Sequence, residues 1–472
     1  MASRSFGIPI GMGRPVRAGL LPRIAVWPPE TVAVMLVLAF ALAAPRGYTG
    51  GGSDDWPYLE AARCWAQHGF CVPDTHWAAR WPLVAPLGTL FAMFGESRAL
   101  LTAVSTGWAI LAVAVFARLV QRVAGHGAAW RAAAVLAITP TVAASYAELN
   151  VDIVELALAL TAGLFALRAR ADASPRDALA SGIALALAIQ TRTTSVALLP
   201  AIALLVLTTP RPRRALILAG LAGLAIPLTA EALVYAATAG DPLLGWHLAL
   251  GHVRIPSTEL AAGVDTRESP LFNPHYIAGW HRPAGIHVHW AIDGLLNLLA
   301  TAAIGPVLLM AALFGWTARA RLPRQVLVAA ALFAVGYVGL LTYGLAIDPK
   351  PRMFLPVIAA AALVIGMALA ANRGTTDARL ALLMLALVGA IALAGVARVT
   401  DPASAERTAQ AWIGTHPDRF AVDETTRRAL AFSPAIQAIP RGSQLAPARL
   451  TLAQGPCPAP PGGEILVRAF TV

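Results

Sequence analysis

The sequence predicts an all-α polytopic membrane protein of about eleven transmembrane helices, with amphipathic helices in its outer loops and a small C-terminal α/β module. Three observations carry that expectation. Of 472 residues, 57% are hydrophobic and 13% charged, against about 45–50% and 25% in an ordinary soluble domain. The apolar residues gather into runs of about the 17–25 residues that cross a bilayer. Arginines fill every second connection between those runs, as topology signals do. The basic excess of 11 therefore reports orientation and not nucleic acid as a partner. The 39 Gly and 35 Pro show no period, which excludes a collagen-like chain.

The runs fall at 28–45, 98–118, 129–147, 151–168, 176–191, 193–209, 214–238, 292–317, 325–346, 353–372 and 379–398. The first follows a basic stretch and carries "AFALAA", features shared with a secretory signal; the ten runs behind it make an uncleaved helix the simpler expectation. At Thr191 and Arg192 two short runs meet without a loop, so a re-entrant pair or one bent helix also fits there. Basic groups such as Arg118, Arg122 and Arg131, or Arg211, Arg213 and Arg214, mark the cytoplasmic loops. The N-terminus is then inside and the C-terminal tail outside. Residues 1–399 form the transmembrane domain, with outer loops 46–97 and 239–291. Residues 400–472 form the extracytoplasmic module, in which "RFAV" and "EILVRAF" have the pattern of strands and "DETTRRALAF" that of a capped helix.

Three cysteines, Cys64, Cys71 and Cys457, exclude a disulfide framework. A single Cys64–Cys71 bridge is open, but continuous helix would hold the two Cα atoms about 10 Å apart, beyond disulfide reach.

Ionisable groups at the membrane rim are costly and so become site candidates. The first outer loop reads "YTGGGSDDWPYLEAARCWAQHGF", with adjacent Asp54 and Asp55 heading an amphipathic stretch. Ser53 or Asp54 also suits plain helix capping with Pro57 in the first turn, the aromatic residues then marking the lipid interface. Arg80 precedes a second amphipathic run and suits either snorkelling or a bidentate phosphate contact. Asp152 and Glu155 open the fourth span, where carboxylates are favourable on dipole grounds alone. Arg192 stands between two apolar runs, and Lys350, the only lysine, lies two residues from Arg352. All fall on the outer side of the expected topology. Six of the ten histidines, among them His287 and His289 of "HVH", lie in loop 239–291; a metal site is conceivable there, and an interfacial cover for acceptor recognition is the simpler role.

Taken in order, these segments resemble the GT-C superfamily of lipid-linked-sugar glycosyltransferases, in particular the group holding protein O-mannosyltransferases (glycosyltransferase family 39) and the lipid A aminoarabinose transferase. "SDDWPYLEAA" is similar to the family's first-loop Asp-Glu motif and the amphipathic helix after it. "RWPL" is similar to its basic-Pro-Pro-Leu segment, "FGES" to its loop-closing turn, and "NVDIVELALAL" to its second-loop acidic opening. "GIALALAIQTRTTSVALLPAI", "TAGDPLLGW" and "PRMFLPVIAAAAL" resemble later segments. Asp55 stands where Glu is usual and Trp81 where Pro is usual.

The resemblance implies a GT-C fold and an inverting hexosyl- or pentosyltransferase of the cell envelope, working in the inner membrane with its active site extracytoplasmic. Its donor would be a polyprenyl-phosphate sugar and its acceptor a lipid, glycan or protein, with membrane lipids as surroundings and no cofactor or metal. It implies catalytic roles at Asp54 and Asp55, with Asp54 the base, and substrate contacts at Arg80, Asp152, Arg192, Lys350 and Arg352. A lipid or glycolipid transporter is the alternative, for which the same charges would line a passage.

Overall fold

The computed structural model describes residues 28–43, 48, 54–146, 148–207, 213–251, 296, 298–299, 303–341, 351–371, 389, 420–422, 428, 431–432 and 448–450. They are almost wholly helical. In chain order the helices are α1 Thr31–Ala43, α2 Asp55–His68, α3 Trp81–Phe94, α4 Arg98–Ala124, α5 His126–Ile138, α6 Pro140–Ala144, α7 Val151–Asp172, α8 Pro175–Thr191, α9 Leu199–Leu207, α10 Arg213–Ala239, α11 Leu244–Gly251, α12 Gly305–Thr317, α13 Arg324–Gly339 and α14 Leu355–Ala371. Short 3-10 turns, Thr193–Leu198 and Pro351–Phe354, precede α9 and α14. Among the described residues three helical stretches, Arg98–Ala124, Arg214–Ala239 and Arg352–Ala371, are long and apolar enough to cross a membrane, and five more are apolar but shorter. The protein is integral to a membrane.

Local sequence explains where these helices begin and end. Ser97 accepts a hydrogen bond from Leu100 N (3.2 Å), Asn150 from Asp152 N (2.7 Å) and Ser174 from Asp177 N (3.2 Å), each satisfying a backbone donor that an N-terminal turn leaves over. α7 and α8 are joined only through Ala173, which takes the left-handed conformation, and Ser174, so they pack as an antiparallel hairpin. α8 then packs on α10, α4 on α5 and α7, and α14 on α5 and α12. The main apolar core runs through α4, α5, α7, α12 and α14, with Phe116, Tyr146, Tyr337 and Phe354 among its largest fully buried side chains, and the packing of α7, α8 and α10 forms two smaller clusters. Leu218, Leu233, Leu332 and Val335 point outward, the pattern of surface that lipid covers.

α2 and α3 are the two amphipathic helices expected in the first outer loop. They meet at Gly88, where a Cβ would stand 2.4 Å from Trp65 Cβ and 2.7 Å from Ala62 O, so no larger residue allows that approach. α2 ends at Gly69, whose φ of 79° is a left-handed value that favours glycine. The reversal brings Cys71 back to Cys64, with Cα atoms 6.1 Å apart in a disulfide. The continuous-helix distance does not apply because the helix stops between the two cysteines.

Arg63 on α2 forms a two-point ion pair with Glu96 (2.6 and 2.7 Å). Parts of the C-terminal segment reach this same region. Tyr48 Oη donates to Arg428 O (2.6 Å), and the Tyr48 and Phe432 rings pack edge to face at 5.4 Å. Strand β1 (Phe420–Val422) pairs in parallel with β2 (Ala448–Leu450), Phe420 opposite Ala448. β1 lies within the expected "RFAV" strand; "EILVRAF" and the span at 379–398, apart from Gly389, lie outside the described residues.

Candidate active site

Four element ends converge on one cluster: the start of α2, the start of α7, the junction after α8 and the 3-10 turn before α14. Asp54 immediately precedes α2. Its backbone is already helical (φ −72°, ψ −1°) and its side chain makes no capping hydrogen bond. Its carboxylate is instead ion-paired with the Arg352 guanidinium. Arg352 Nε lies 3.2 Å from Asp152 Oδ2, and Asp152 Oδ1 takes Arg192 Nη1. Capping at α7 falls to Asn150, which leaves the Asp152 side chain to these cations.

Arg192 occupies an extended break (φ −150°, ψ 125°) between α8 and the following 3-10 turn, at the junction where the sequence lacks a loop. Extended backbone there turns the side chain back towards the first turn of α7. Its Nε is 3.5 Å from Glu155 Oε2. The turn supplies two further donors to Glu155 Oε1, Thr194 Oγ1 at 3.0 Å and Ser195 Oγ at 2.7 Å. Burying ions is tolerable only when they are paired; here each is, although Asp152 Oδ2, Glu155 Oε2 and Arg352 Nε meet their partners at ion-pair distance without a hydrogen bond.

Exposure divides the acids. The side chain of Asp54 is 26% exposed and that of Arg352 16%, whereas Asp152 and Glu155 are each at 1%. Asp55 is fully buried. Asp54 is therefore open to solvent, while Asp152 and Glu155 are sealed against the core.

Arg80, at the head of α3, donates to the Tyr58 hydroxyl and lies 5.6 Å from its ring centroid. Tyr58 is one helical turn beyond Asp54, on the buried side of α2. Burial pushes its phenol well above the ordinary range, and it also feels the charges of Arg80, Asp54, Asp152 and Arg352. It therefore stays protonated, bonded to Arg80 and one turn along the same helix from Asp54.

Of the sequence candidates, Asp54, Asp152, Arg192 and Arg352 form one ion-paired chain, with Arg80 joined through Tyr58. Asp55 turns into the core beside Asp54, and Lys350 lies outside the described residues. Glu155, a rim acid to which the family resemblance assigns no role, joins the cluster, together with Tyr58, Asn150, Thr194 and Ser195, which are not site candidates from the sequence. The i, i+4 spacing of Asp54 and Tyr58 and the hydroxyl pair after Arg192 were the available signals. Among the described residues no three potential metal ligands cluster. His247 pairs with Asp241 at 2.7 Å, and the remaining five histidines of loop 239–291 lie outside the described residues.

Residues 82–235 match the dolichyl-phosphate-mannose-protein mannosyltransferase family model. That stretch contains Asp152, Glu155 and Arg192; Asp54, Arg80 and Arg352 lie beyond its ends. No curated protein matches the chain. Among solved structures, ArnT from Cupriavidus metallidurans bound to undecaprenyl phosphate is 16% identical at a TM-score of 0.44, over 86% of this chain and 74% of that one. The archaeal oligosaccharyltransferase AglB from Archaeoglobus fulgidus, in complex with an inhibitory peptide and a dolichol-phosphate, is 14% identical at a TM-score of 0.46, over 88% of this chain and 60% of that one.

Proposed function

We propose that the chain, whose residues 82–235 match the dolichyl-phosphate-mannose-protein mannosyltransferase family model, is an inverting GT-C transferase that moves a hexose or pentose from a polyprenyl-phosphate donor to an acceptor hydroxyl on the outer face of the inner membrane. The observation that carries this is the exposure of Asp54 beside a cation, in a cluster whose other acids are sealed.

The acceptor oxygen attacks the anomeric carbon while Asp54 takes the hydroxyl proton. The bond from that carbon to the phosphate oxygen breaks, and the phosphate leaves with the electron pair. A carboxylate positioned for this proton transfer is worth about 10²–10⁴ in rate. Arg352 and Arg80, each partly exposed, stabilise the charge developing on the leaving phosphate, and fixed cations do so without reorganising. One base and a single displacement give inversion, unlike the two-carboxylate retaining scheme. Asp152 and Arg192 position Arg352: the buried pair fixes the carboxylate against which Arg352 rests. A donor phosphate that takes up Arg352 loosens the Arg352–Asp54 pair, so donor binding prepares the base. Lys350 is a further donor contact in this scheme, and Asp55 supports Asp54 from the core side.

Two features support the outer-face location. The Cys64–Cys71 disulfide sits in the same loop as Asp54, and disulfides persist in oxidising compartments. The arginine-rich loops follow the opposite, cytoplasmic ends of the spans. A broken helix such as that at Arg192 also occurs in transporters, yet here the Arg192 side chain is buried and closed off by two carboxylates. The experiment is a transfer assay with purified full-length protein and a synthetic polyprenyl-phosphate sugar. Acceptor-dependent release of polyprenyl phosphate with inverted linkage supports the proposal, and an intact donor after incubation with cell-envelope acceptor extract contradicts it.

A further inference from the structure

α2 has a second face. Asp55, Tyr58, Leu59 and Ala62 are buried, while Pro57, Glu60, Ala61 and Cys64 recur at the i, i+3, i+4, i+7 spacing of a single helical side. That second side walls a cleft of about 520 Å³, whose other wall is the segment that the disulfide ties back to α2. The volume is within the range of about 300–1,000 Å³ found for small-molecule sites. Trp65 and Trp77 line it together with the carboxylates of Glu60 and Asp74, and Arg428 of the C-terminal segment closes one side with its guanidinium over the Trp56 ring at 5.8 Å.

We infer that this cleft is the acceptor subsite and that it takes a neutral saccharide portion of the acceptor. The inference rests on the transferase function proposed above. A sugar ring presents an apolar C–H face and a rim of hydroxyl donors. Indoles offer flat apolar surface, and ionised carboxylates can only accept hydrogen bonds, so the lining complements both sides of such a ring. Among the described lining residues the acidic Glu60 and Asp74 stand with a single cation, Arg428, so there is no cationic excess to hold a phosphorylated or otherwise anionic glycan or an anionic lipid headgroup. Glu60 lies six residues beyond Asp54, about 9 Å along the helix axis. A saccharide held in the cleft can thus extend its terminal hydroxyl to the base at the head of the same helix, and binding energy from non-reacting rings becomes available for orientation.

The test uses full-length protein in lipid nanodiscs and saturation-transfer NMR with maltotriose and chitotriose. Sialyllactose serves as an anionic probe and a Ser/Thr-rich peptide as a competitor. The inference expects saturation transfer to the C–H protons of a neutral trisaccharide and about tenfold weaker binding in Trp77→Ala, the size expected from losing an aromatic contact. Asp74→Asn, a surface change that leaves the packing in place, should also weaken binding, and Asp54→Asn should not. Binding that is absent for both trisaccharides, unchanged in Asp74→Asn and Trp77→Ala, or matched by sialyllactose overturns it, as does a peptide that binds where the trisaccharides do not. Donor cleavage is measured on the same samples. Donor turnover without saccharide binding removes the cleft assignment alone, and saccharide binding without donor turnover removes the transferase proposal on which it rests.

Discussion

The Arg352 guanidinium is paired with the Asp54 carboxylate although 298 residues of chain separate them. The pair joins the start of α2 to the turn that opens α14, and Arg352 Nε also faces Asp152. A cation shared between an exposed and a sealed acid is well placed to answer a third anion. That arrangement underlies the first prediction.

Arg352→Ala should raise the donor Michaelis constant and lower turnover by removing a charge-assisted contact worth about 1.5–3 kcal/mol, roughly 10–150-fold. Arg352→Lys should recover only part of this, because an ammonium cannot serve two carboxylates and a phosphate as a planar fork does. Steady-state kinetics with donor varied at saturating acceptor checks it; unchanged donor constant and turnover in Arg352→Ala would take this residue out of the site.

Tyr58→Phe should give a milder donor defect of the same kind, since it deletes the oxygen that holds Arg80 at a cost of about 0.5–1.5 kcal/mol. The thermal midpoint in detergent should fall little. A large loss of stability with normal donor use would instead make Tyr58 a packing residue.

Arg192 is predicted to behave differently from Arg352. Its replacement by Met removes the cation that Asp152 and Glu155 share, both at 1% exposure, and breaking such a buried pair costs about 3–5 kcal/mol. Thermal unfolding should show a pronounced drop, rescued in part by Arg192→Lys. A folded, fully stable Arg192→Met protein with a raised donor constant would move this residue to the donor contacts.

Much of the fold is legible in the sequence because spanning length and capping are local properties. α7 starts after the Asn150 cap and α8 after Ser174–Pro175, so the expected runs at 151–168 and 176–191 lie inside the observed helices. The cost of charge at a membrane rim singled out Asp54, Arg80, Asp152, Arg192 and Arg352 as residues, but their pairing depends on which helix ends meet, and no local pattern encodes that. Tyr58 was hidden in an amphipathic aromatic stripe whose ordinary use is interfacial anchoring. The disulfide was obscured by the assumption of continuous helix across Gly69. Strand β2 is three residues long, too short a run to stand out from the tail around it.

The topology predicts that Cys64 and Cys71, being bridged, react with an impermeant thiol reagent in spheroplasts only after reduction, whereas Cys457 reacts directly. Cysteines introduced at Arg122 or Arg213 should remain unlabelled until the membrane is opened. Labelling at either arginine position with the membrane intact would reverse the assigned orientation.

The most direct test is sugar transfer by Asp54→Asn, using a synthetic polyprenyl-phosphate donor and the native acceptor. The amide keeps the size of the side chain and has no capping hydrogen bond to lose; it gives up the partly exposed ion pair with Arg352, worth about 0–1 kcal/mol, so the thermal midpoint should fall only a little. Its lack of basicity should lower turnover by about 10²–10⁴, with Asp55→Asn less affected. Turnover by Asp54→Asn near that of the unaltered protein would contradict the assignment of Asp54 as the base.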